Sequence, residues 1–447
     1  MKKIGEGSFG KVFEVDQNKI AKYSVMDESA IHVYTLRELC FLSQYTHPYI
    51  IQMIDNYTTK NHKVIEMHHG GKDLHNWVKT ISRQTLAKYL PSIIYQLLTA
   101  LSYLENNGFT HGDLKPSNIT IIEKDGNVDI KIIDWGSINF LPKIKIFNTC
   151  TYNFSAPELL DLQIILNPRS LFSRNYVGSL GKFNIKNDIF SLGLIIKFLL
   201  SKTIYKPYDI YKYNFECYMP FLDTTTEWCT SELDPEIIEI CQKMLHSDPA
   251  TRPTAIELWN EKYFDKFRLD SKFYKDIEKT NTDDRIDNYD DKYKFSIEKR
   301  NEVIEWAFKA VSYIKKLYLF TLGIWIFDKF LSLCKEEIND DDLHIIIATC
   351  MKTADIILYC YTHDISFWLK RLPGKYGKNQ FNKVTNYVVK TINYNIFRKT
   401  FDMFIKNPDY NHVLKICQSK DYNKMDKTQK IEMYEAMVDL ANKDDKA

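Results

Sequence analysis

The sequence predicts an α+β body, in which a small amino-terminal β-sheet lobe precedes a helical lobe, followed by a separate all-α module. Three observations carry this expectation. Before residue 69, short apolar runs separated by turn residues recur at strand length. From Leu86 onward, apolar residues fall at helical spacing. A charged, polar stretch from Lys266 to about Ile297 then parts two apolar-rich regions.

In chain order, the opening reads as a strand, a glycine turn and a second strand, then a short hairpin at Asp16-Gln17-Asn18 and a strand over 19–24. Little chain precedes Gly5, so the first strand is expected to be short. The segment from Ser29 to Gln44 places Ile31, Leu36, Leu39 and Leu42 on one helical face, and His47-Pro48 breaks it. Strand-like runs follow around 49–54 and 63–67. Residues 187–200 form a nearly continuous apolar run, expected to be a helix buried on most sides. The most apolar later stretch, 317–333, carries Asp328 and Lys329 and reads as a buried helix, not a membrane span. The resulting boundaries are 1–268 for the body (lobes 1–68 and 69–268), 269–297 for a charged linker, 298–400 for the module and 401–447 for a helical extension with a frayed end. No internal repeat or low-complexity tract interrupts them.

At 447 residues, with 45% hydrophobic, 14% aromatic and 26% charged residues, the chain has the composition of a two-domain globular protein. Sixty basic residues stand against 58 acidic ones, for a net charge of +2, so no global field favours nucleic acid or a membrane surface. Nine cysteines without a Cys-x-x-Cys pair read as reduced thiols and not as a zinc site. The expected location is therefore cytoplasmic or nuclear. The glycine motif begins at once, which leaves no room for a signal peptide. Abundant Asn, Lys, Ile and Tyr read as AT-rich coding bias, which suits a large DNA virus, with a host-cell or virion location, or a protist.

Ile4-Gly5-Glu6-Gly7-Ser8-Phe9-Gly10-Lys11-Val12 fits the pattern G-x-G-x-x-G-x-V, in which absent side chains let backbone amides approach phosphates. Taken alone, such a hairpin is as often a structural device. Lys22 on the next strand and Glu38 on the amphipathic helix have a bland reading too, as a surface lysine and a helix glutamate. The strongest segment is His111-Gly112-Asp113-Leu114-Lys115-Pro116-Ser117-Asn118, with Asp134-Trp135-Gly136 following sixteen residues after the asparagine. A lone Asp or Asn in a loop usually closes a turn. Here an ordered series continues through Ser155-Ala156-Pro157-Glu158, Asp188-Ile189-Phe190-Ser191-Leu192-Gly193 and Asp248-Pro249-Ala250-Thr251-Arg252-Pro253.

This series resembles the eukaryotic-type protein kinases, and Lys115 together with Thr151 resembles their serine/threonine class. The resemblance implies the bilobal kinase fold, ATP with Mg2+ or Mn2+ as cofactors, and a protein substrate. It assigns Asp113 as catalytic base and Lys115 as the cation beside the transferred phosphoryl group. Asn118 and Asp134 are the metal ligands, and Lys22 paired with Glu38 meets the α and β phosphates. Ile4, Gly5, Gly7, Gly10 and Val12 cover the nucleotide, with Glu66 and His68 at the hinge. By the same resemblance Glu158 and Arg252 form a buried ion pair, and Asp188 anchors the catalytic-loop backbone.

Departures from the pattern matter as much. Gly112 replaces the arginine that reads an activation-loop phosphate, and the segment from Asp134 to Glu158 is short, with Thr149 and Thr151 near its end. Phosphorylation switching is therefore expected to be weakened, with the loop held active by packing or by the second module. Ile20 and Trp135 replace a small residue and a phenylalanine, which predicts a tighter adenine slot. Extra chain lies around 167–183, while the long insertion of cyclin-dependent kinases between the Asp188 and Arg252 elements is missing. His-Gly-Asp also occurs in small-molecule kinases, but Ala-Pro-Glu points to a peptide-binding segment.

The second module resembles a cyclin box. Arg300 and Glu305 are expected to form its internal ion pair beside a buried Trp306, with later helices over 321–332, 343–354 and 388–396. The lysine and glutamate with which cyclins grip a kinase helix fall near Ile356 and Thr385. Leu36-Arg37-Glu38 nevertheless offers the helix such modules act upon, so the expectation is activation in cis by an intramolecular kinase to cyclin-like contact. Two alternatives stay open: a pseudokinase scaffold presenting the module to a host kinase or transcription complex, and a small-molecule kinase.

Overall fold

The structure, a computed structural model, describes residues 1–7, 10–140, 151–159, 184–202, 233–268, 286, 297–312, 316–359, 363–400, 403, 405, 408–419 and 421–444. Most of the expected linker, the 167–183 insertion, Thr149 and the last three residues lie outside these. Among them the chain divides into two compact units. One comprises Met1–Ser24, Tyr45–Thr59 and Lys63–Thr280; the other comprises Val25–Gln44, Lys60–His62 and Asn281–Ala447.

The first unit begins with an antiparallel sheet of β1 (Lys2–Gly7), β2 (Gly10–Asp16), β3 (Lys19–Val25), β4 (Met53–Thr58) and β5 (His62–His68), ordered β1-β2-β3-β5-β4. The β2–β3 turn closes locally, because the Asp16 carboxylate accepts from the Asn18 amide at 2.8 Å. Register places Val12 opposite both Gly5 and Lys22. As expected, little of the first strand precedes Gly5: β1 takes in Lys2, Lys3 and Ile4 and continues through the glycines to Gly7.

In chain order the helices start with α1 (Val33–Gln44), which belongs to the second unit. The first unit continues with β6 (Lys72–Asp73), α2 (Leu74–Trp77), α3 (Arg83–Asn107), β7 (Phe109–Thr110), β8 (Ile119–Lys124), β9 (Asn127–Ile132) and β10 (Asn139–Phe140). Then come α4 (Asn187–Ser201), α5 (Pro235–Met244) and α6 (Ala255–Trp259). α3 starts where the Ser82 side chain accepts from the Thr85 amide and stops at left-handed Gly108, φ 75°. The β8–β9 hairpin turns through Asp125 and Gly126, both at positive φ, as a two-residue turn requires. α4 is buried along almost its whole length, as its apolar run predicts. A side chain at Gly193 would meet Leu245 at 2.7 Å, so glycine permits the close approach there. Arg252, fully buried, donates to both oxygens of Glu158 at 2.8 and 3.0 Å and to the carbonyls of His246, Lys186 and Ser247. This satisfies the guanidinium fork that burial would otherwise penalise.

In the second unit, helices alone follow: α7 (Ile297–Ser312), α8 (Leu317–Leu333), α9 (Leu343–Leu358), α10 (Ile365–Leu369), α11 (Lys378–Thr391), α12 (Tyr410–Cys417) and α13 (Lys427–Asp444). No helix among the described residues is long and apolar enough to cross a membrane. α8 is the apolar stretch read from the sequence, and its Asp328 is completely buried. The cause lies in Arg300 on α7, which donates to both carboxylate oxygens of Asp328 at 3.0 and 2.6 Å. Arg300 also donates to the Cys417 carbonyl, and Asn423 adds a further donor to Asp328. The expected pairing of Arg300 with Glu305 is therefore corrected. Five positions along a helix turn a side chain away from its partner, and Glu305 pairs with exposed Lys309 one turn on. Trp306 is half-buried, with its indole N–H on the Arg371 carbonyl. The last expected helix lies earlier than 388–396, ending at Thr391 where Asn393 and Tyr394 turn left-handed.

α1 packs within this unit by its buried Arg37, which donates from Nη1 to the carbonyls of Ile356 and Ile357 at 2.7 and 2.8 Å. These carbonyls lie in the last turn of α9, where helix geometry leaves acceptors without an intrahelical donor and the dipole favours a cation. At the other end of α1, Gln44 accepts from the Ile396 and Phe397 amides at 2.8 and 2.7 Å.

Arg300→Leu strands the Asp328 carboxylate and is expected to cost about 3–5 kcal/mol, whereas Glu305→Gln is expected to stay within about 0.5 kcal/mol; urea unfolding of the full chain followed by circular dichroism measures both.

Candidate active site

The loop between β7 and β8 is built on a buried carboxylate. Asp188, in the first turn of α4, accepts from the amides of His111 at 2.6 Å and Gly112 at 3.1 Å. Burial pushes its carboxyl above the ordinary range, against the opposing pull of His111 and these two amides. Gly112 sits at φ 80°, a conformation that penalises any side chain. Its presence where an arginine was expected therefore has a backbone reason. His111 is buried, with Nε2 on the Ile133 carbonyl at 3.0 Å and Nδ1 accepting from the Asp113 amide at 3.3 Å. That pattern puts the proton on Nε2. Trp135, also fully buried, meets the His111 ring edge-on at 4.8 Å.

With the loop so held, three side chains converge. Lys115 Nζ donates to Asp113 Oδ2 at 2.6 Å and to the Thr151 hydroxyl at 2.8 Å, and the Thr151 amide donates to Asp113 Oδ1 at 2.8 Å. Asn118 Nδ2 donates to the Asp113 carbonyl at 2.9 Å, which turns its amide oxygen the other way. The Ile133 amide bonds to the Asn118 carbonyl at 2.9 Å, which brings the end of β9 and the following Asp134 beside the loop. Asp134 itself is left-handed, φ 65°, a strained setting for a non-glycine residue. Burial pushes its carboxyl up, but the Lys22 ammonium at 2.9 Å outweighs this and holds it below the ordinary range.

The structure thus gathers Lys22, Asp113, Lys115, Asn118 and Asp134 in one unit. Glu38 is buried on α1, in the other. Among the glycines, Gly10 answers to the sheet, since a Cβ there would fall 2.6 Å from the Tyr23 carbonyl oxygen. Among the described residues, a Cβ at Gly7 would meet nothing within 4 Å, and at Gly5 only Val12 at ordinary contact. Ile4 is exposed, and Val12 is half-buried opposite Lys22. At the hinge, Glu66 binds Lys19 at 2.9 Å and the His68 amide donates to the Gln52 carbonyl at 3.1 Å. Thr151 is the residue whose place in the network the sequence signalled only through its spacing from Ala156.

Asn118 and Asp134 offer hard oxygen donors, the chemistry that suits Mg2+ or Mn2+ shared with substrate phosphates. No group of three or more His, Cys, Asp or Glu able to hold a metal alone occurs among the described residues.

Residues 1–264 match the model for the protein kinase domain, and residues 271–397 match that for the cyclin N-terminal domain. Since the first match covers more than half of the chain, the protein belongs to the protein kinase family. Within that family it carries a cyclin-like domain after its kinase domain. Calcium-dependent protein kinase 6 of Plasmodium berghei is 30% identical over 283 residues, 59% of this chain and 17% of that protein. SNF1-like protein kinase ssp2 of Schizosaccharomyces pombe is 24% identical over 275 residues, 58% of this chain and 43% of the relative. CBL-interacting serine/threonine-protein kinase 13 of Arabidopsis thaliana is 27% identical over 299 residues, 61% of this chain and 52% of the relative. The chain spans about half of these proteins at most.

Restoring the arginine by Gly112→Arg is expected to cost about 1–2 kcal/mol from the left-handed backbone alone. Asp188→Leu, which leaves two buried amides without an acceptor, is expected to cost about 1–3 kcal/mol for each. Thermal unfolding of the two variants checks the order.

Proposed function

We propose that the chain transfers the γ-phosphoryl group of ATP to serine or threonine hydroxyls of proteins, and that its cyclin-like module holds the regulatory helix α1 in cis. The observation that carries the first part is the convergence of Lys115 and Thr151 on the Asp113 carboxylate. Oδ2 accepts from Lys115 and from Asn118 Nδ2 at 3.4 Å, whereas Oδ1, which accepts from the Thr151 amide, keeps a second lone pair for a further donor. Asp113 can therefore orient an incoming hydroxyl and take its proton as the oxygen bonds to phosphorus and the bond to the ADP oxygen breaks. Lys115 offsets charge at the same place. Asn118 and Asp134 are the residues that would hold Mg2+ or Mn2+, and Lys22, Gly5 and Gly7 those that would meet the phosphates. Bound ATP supplies the reactive group. In this reading Val12, Gly10 and Ile4 frame the nucleotide, while Glu66 and His68 line its hinge side by main chain.

Thr151 supports control that is independent of loop phosphorylation, because its hydroxyl and amide are both committed to the catalytic loop. Arg37 supports the cis contact: it docks α1 through the α9 carbonyls of Ile356 and Ile357, at the position where a cyclin lysine was sought in the sequence. Glu38 is the next residue on the same helix, so the docking that holds Arg37 also fixes where Glu38 stands on the module. Free thiols at Cys40, Cys241, Cys334, Cys350 and Cys417 support a reducing cytoplasmic or nuclear location.

Labelled ATP and a peptide array test the reading on the full chain. Transfer to serine and threonine peptides is expected, lost on removal of divalent metal by EDTA and lowered about 10²–10⁴-fold by Asp113→Ala. Absence of transfer to any peptide would contradict it. Arg37→Ala, which removes charge-assisted hydrogen bonds worth about 1.5–3 kcal/mol, is expected to lower kcat about tenfold or more with the peptide KM unchanged.

A further inference from the structure

We infer that three asparagines on α11, Asn379, Asn382 and Asn386, are positioning residues that set the entry of the regulatory helix by clasping the left-handed turn ahead of it. The inference rests on the cis reading above and extends it to residues that neither the kinase nor the cyclin pattern marks.

The turn is Asp27 to Ala30, closed by the Ala30 amide on the Asp27 carbonyl at 2.6 Å. Its two central residues, Glu28 at φ 43° and Ser29 at φ 66°, lie in the region that side chains disfavour, and neither is glycine. Something must hold them there. Asn382 Nδ2 donates to the Glu28 carbonyl at 3.0 Å, Asn386 Nδ2 donates to the Ser29 carbonyl at 2.5 Å, and the Ser29 hydroxyl donates to Asn379 Oδ1 at 3.0 Å. Positions 379, 382 and 386 fall on one face of a helix, as residues three and four apart must, so a single straight element offers all three contacts.

Among the described residues, open space lies beside the turn. A cavity of about 600 Å³ opens there, bordered by Ile31, Leu36, Ile356, Phe381 and Thr385. The polar contacts therefore carry the constraint. Arg37 holds the second turn of α1 and Gln44 its end, while the clasp fixes where the chain enters the helix. The three together restrain α1, and Glu38 on it, against sliding or rotating on the module.

The test uses the full chain with Asn382→Ala and Asn386→Ala combined, changes that favour the helix they sit on. Amide hydrogen exchange over 26–36 is expected to rise about tenfold, and kcat for a serine or threonine peptide to fall several-fold with its KM unchanged. Adding Glu28→Gly, which removes the backbone penalty without touching the carbonyl that is clasped, is expected to restore part of both. A role limited to general stability would not respond to that third substitution. Unchanged exchange in the double variant would overturn the clasp and leave the Arg37 docking standing. Raised exchange with full kcat would overturn the regulatory role of the clasp, and if Arg37→Ala also left kcat untouched, the cis reading itself would fall.

Discussion

The acceptance of two catalytic-loop amides by one buried carboxylate, Asp188, is the contact from which the site is built. A loop between two short strands has no ladder of its own to fix it, and its amides would be costly to bury without an acceptor. Asp188 supplies that acceptor from a helix buried along nearly all its length, so the loop inherits the rigidity of the core. His111, Asp113, Lys115 and Asn118 then take their directions from a backbone that cannot turn. The adjoining strand end is tied in through the Asn118 carbonyl, and Asp134 follows. Removing Asp188 would thus disturb residues it never touches.

Much of this was legible in the residues. The two lobes, the buried central helix, the later helical module and the catalytic series follow from periodicity and from motifs whose order is as informative as their content. Legibility ended where partners are distant in sequence and chemically ordinary. Arg300 was read with Glu305 because the cyclin-box resemblance implied that pair, whereas its partner Asp328 stands on the next helix, and no local rule distinguishes a buried aspartate there from an interruption in an apolar run. Gly112 was read as a missing arginine, while the structure gives it a positive backbone angle that only a glycine accepts without penalty. Arg37 was marked only as part of the helix such modules act upon, and Asn379, Asn382 and Asn386 carried no signal at all, since asparagines on amphipathic helices are usually solvated.

The contact grouping of Val25–Gln44 with the helical module cuts across the kinase match, which runs through that segment without a break. One stretch of chain therefore belongs to two units by two criteria. The module receives the ends of α1's polar contacts by main chain: carbonyls at the end of α9 take the arginine and main-chain amides after Asn395 take the glutamine, while the α11 asparagines hold the turn ahead of the helix by side chain. Backbone recognition of this kind depends on helix ends being in place and little on which side chains surround them. A cyclin-like surface can thereby lose familiar side chains and keep its grip.

The glycine motif at the amino terminus holds two different obligations under one pattern. Gly10 is small because the neighbouring strand is there, and Gly7 is small although no described residue crowds it. Enlarging the first would misshape the sheet, whereas enlarging the second meets no described neighbour and would leave the lobe well formed. Two substitutions that look alike in a sequence would therefore separate at the bench into a misfolded chain and an intact one.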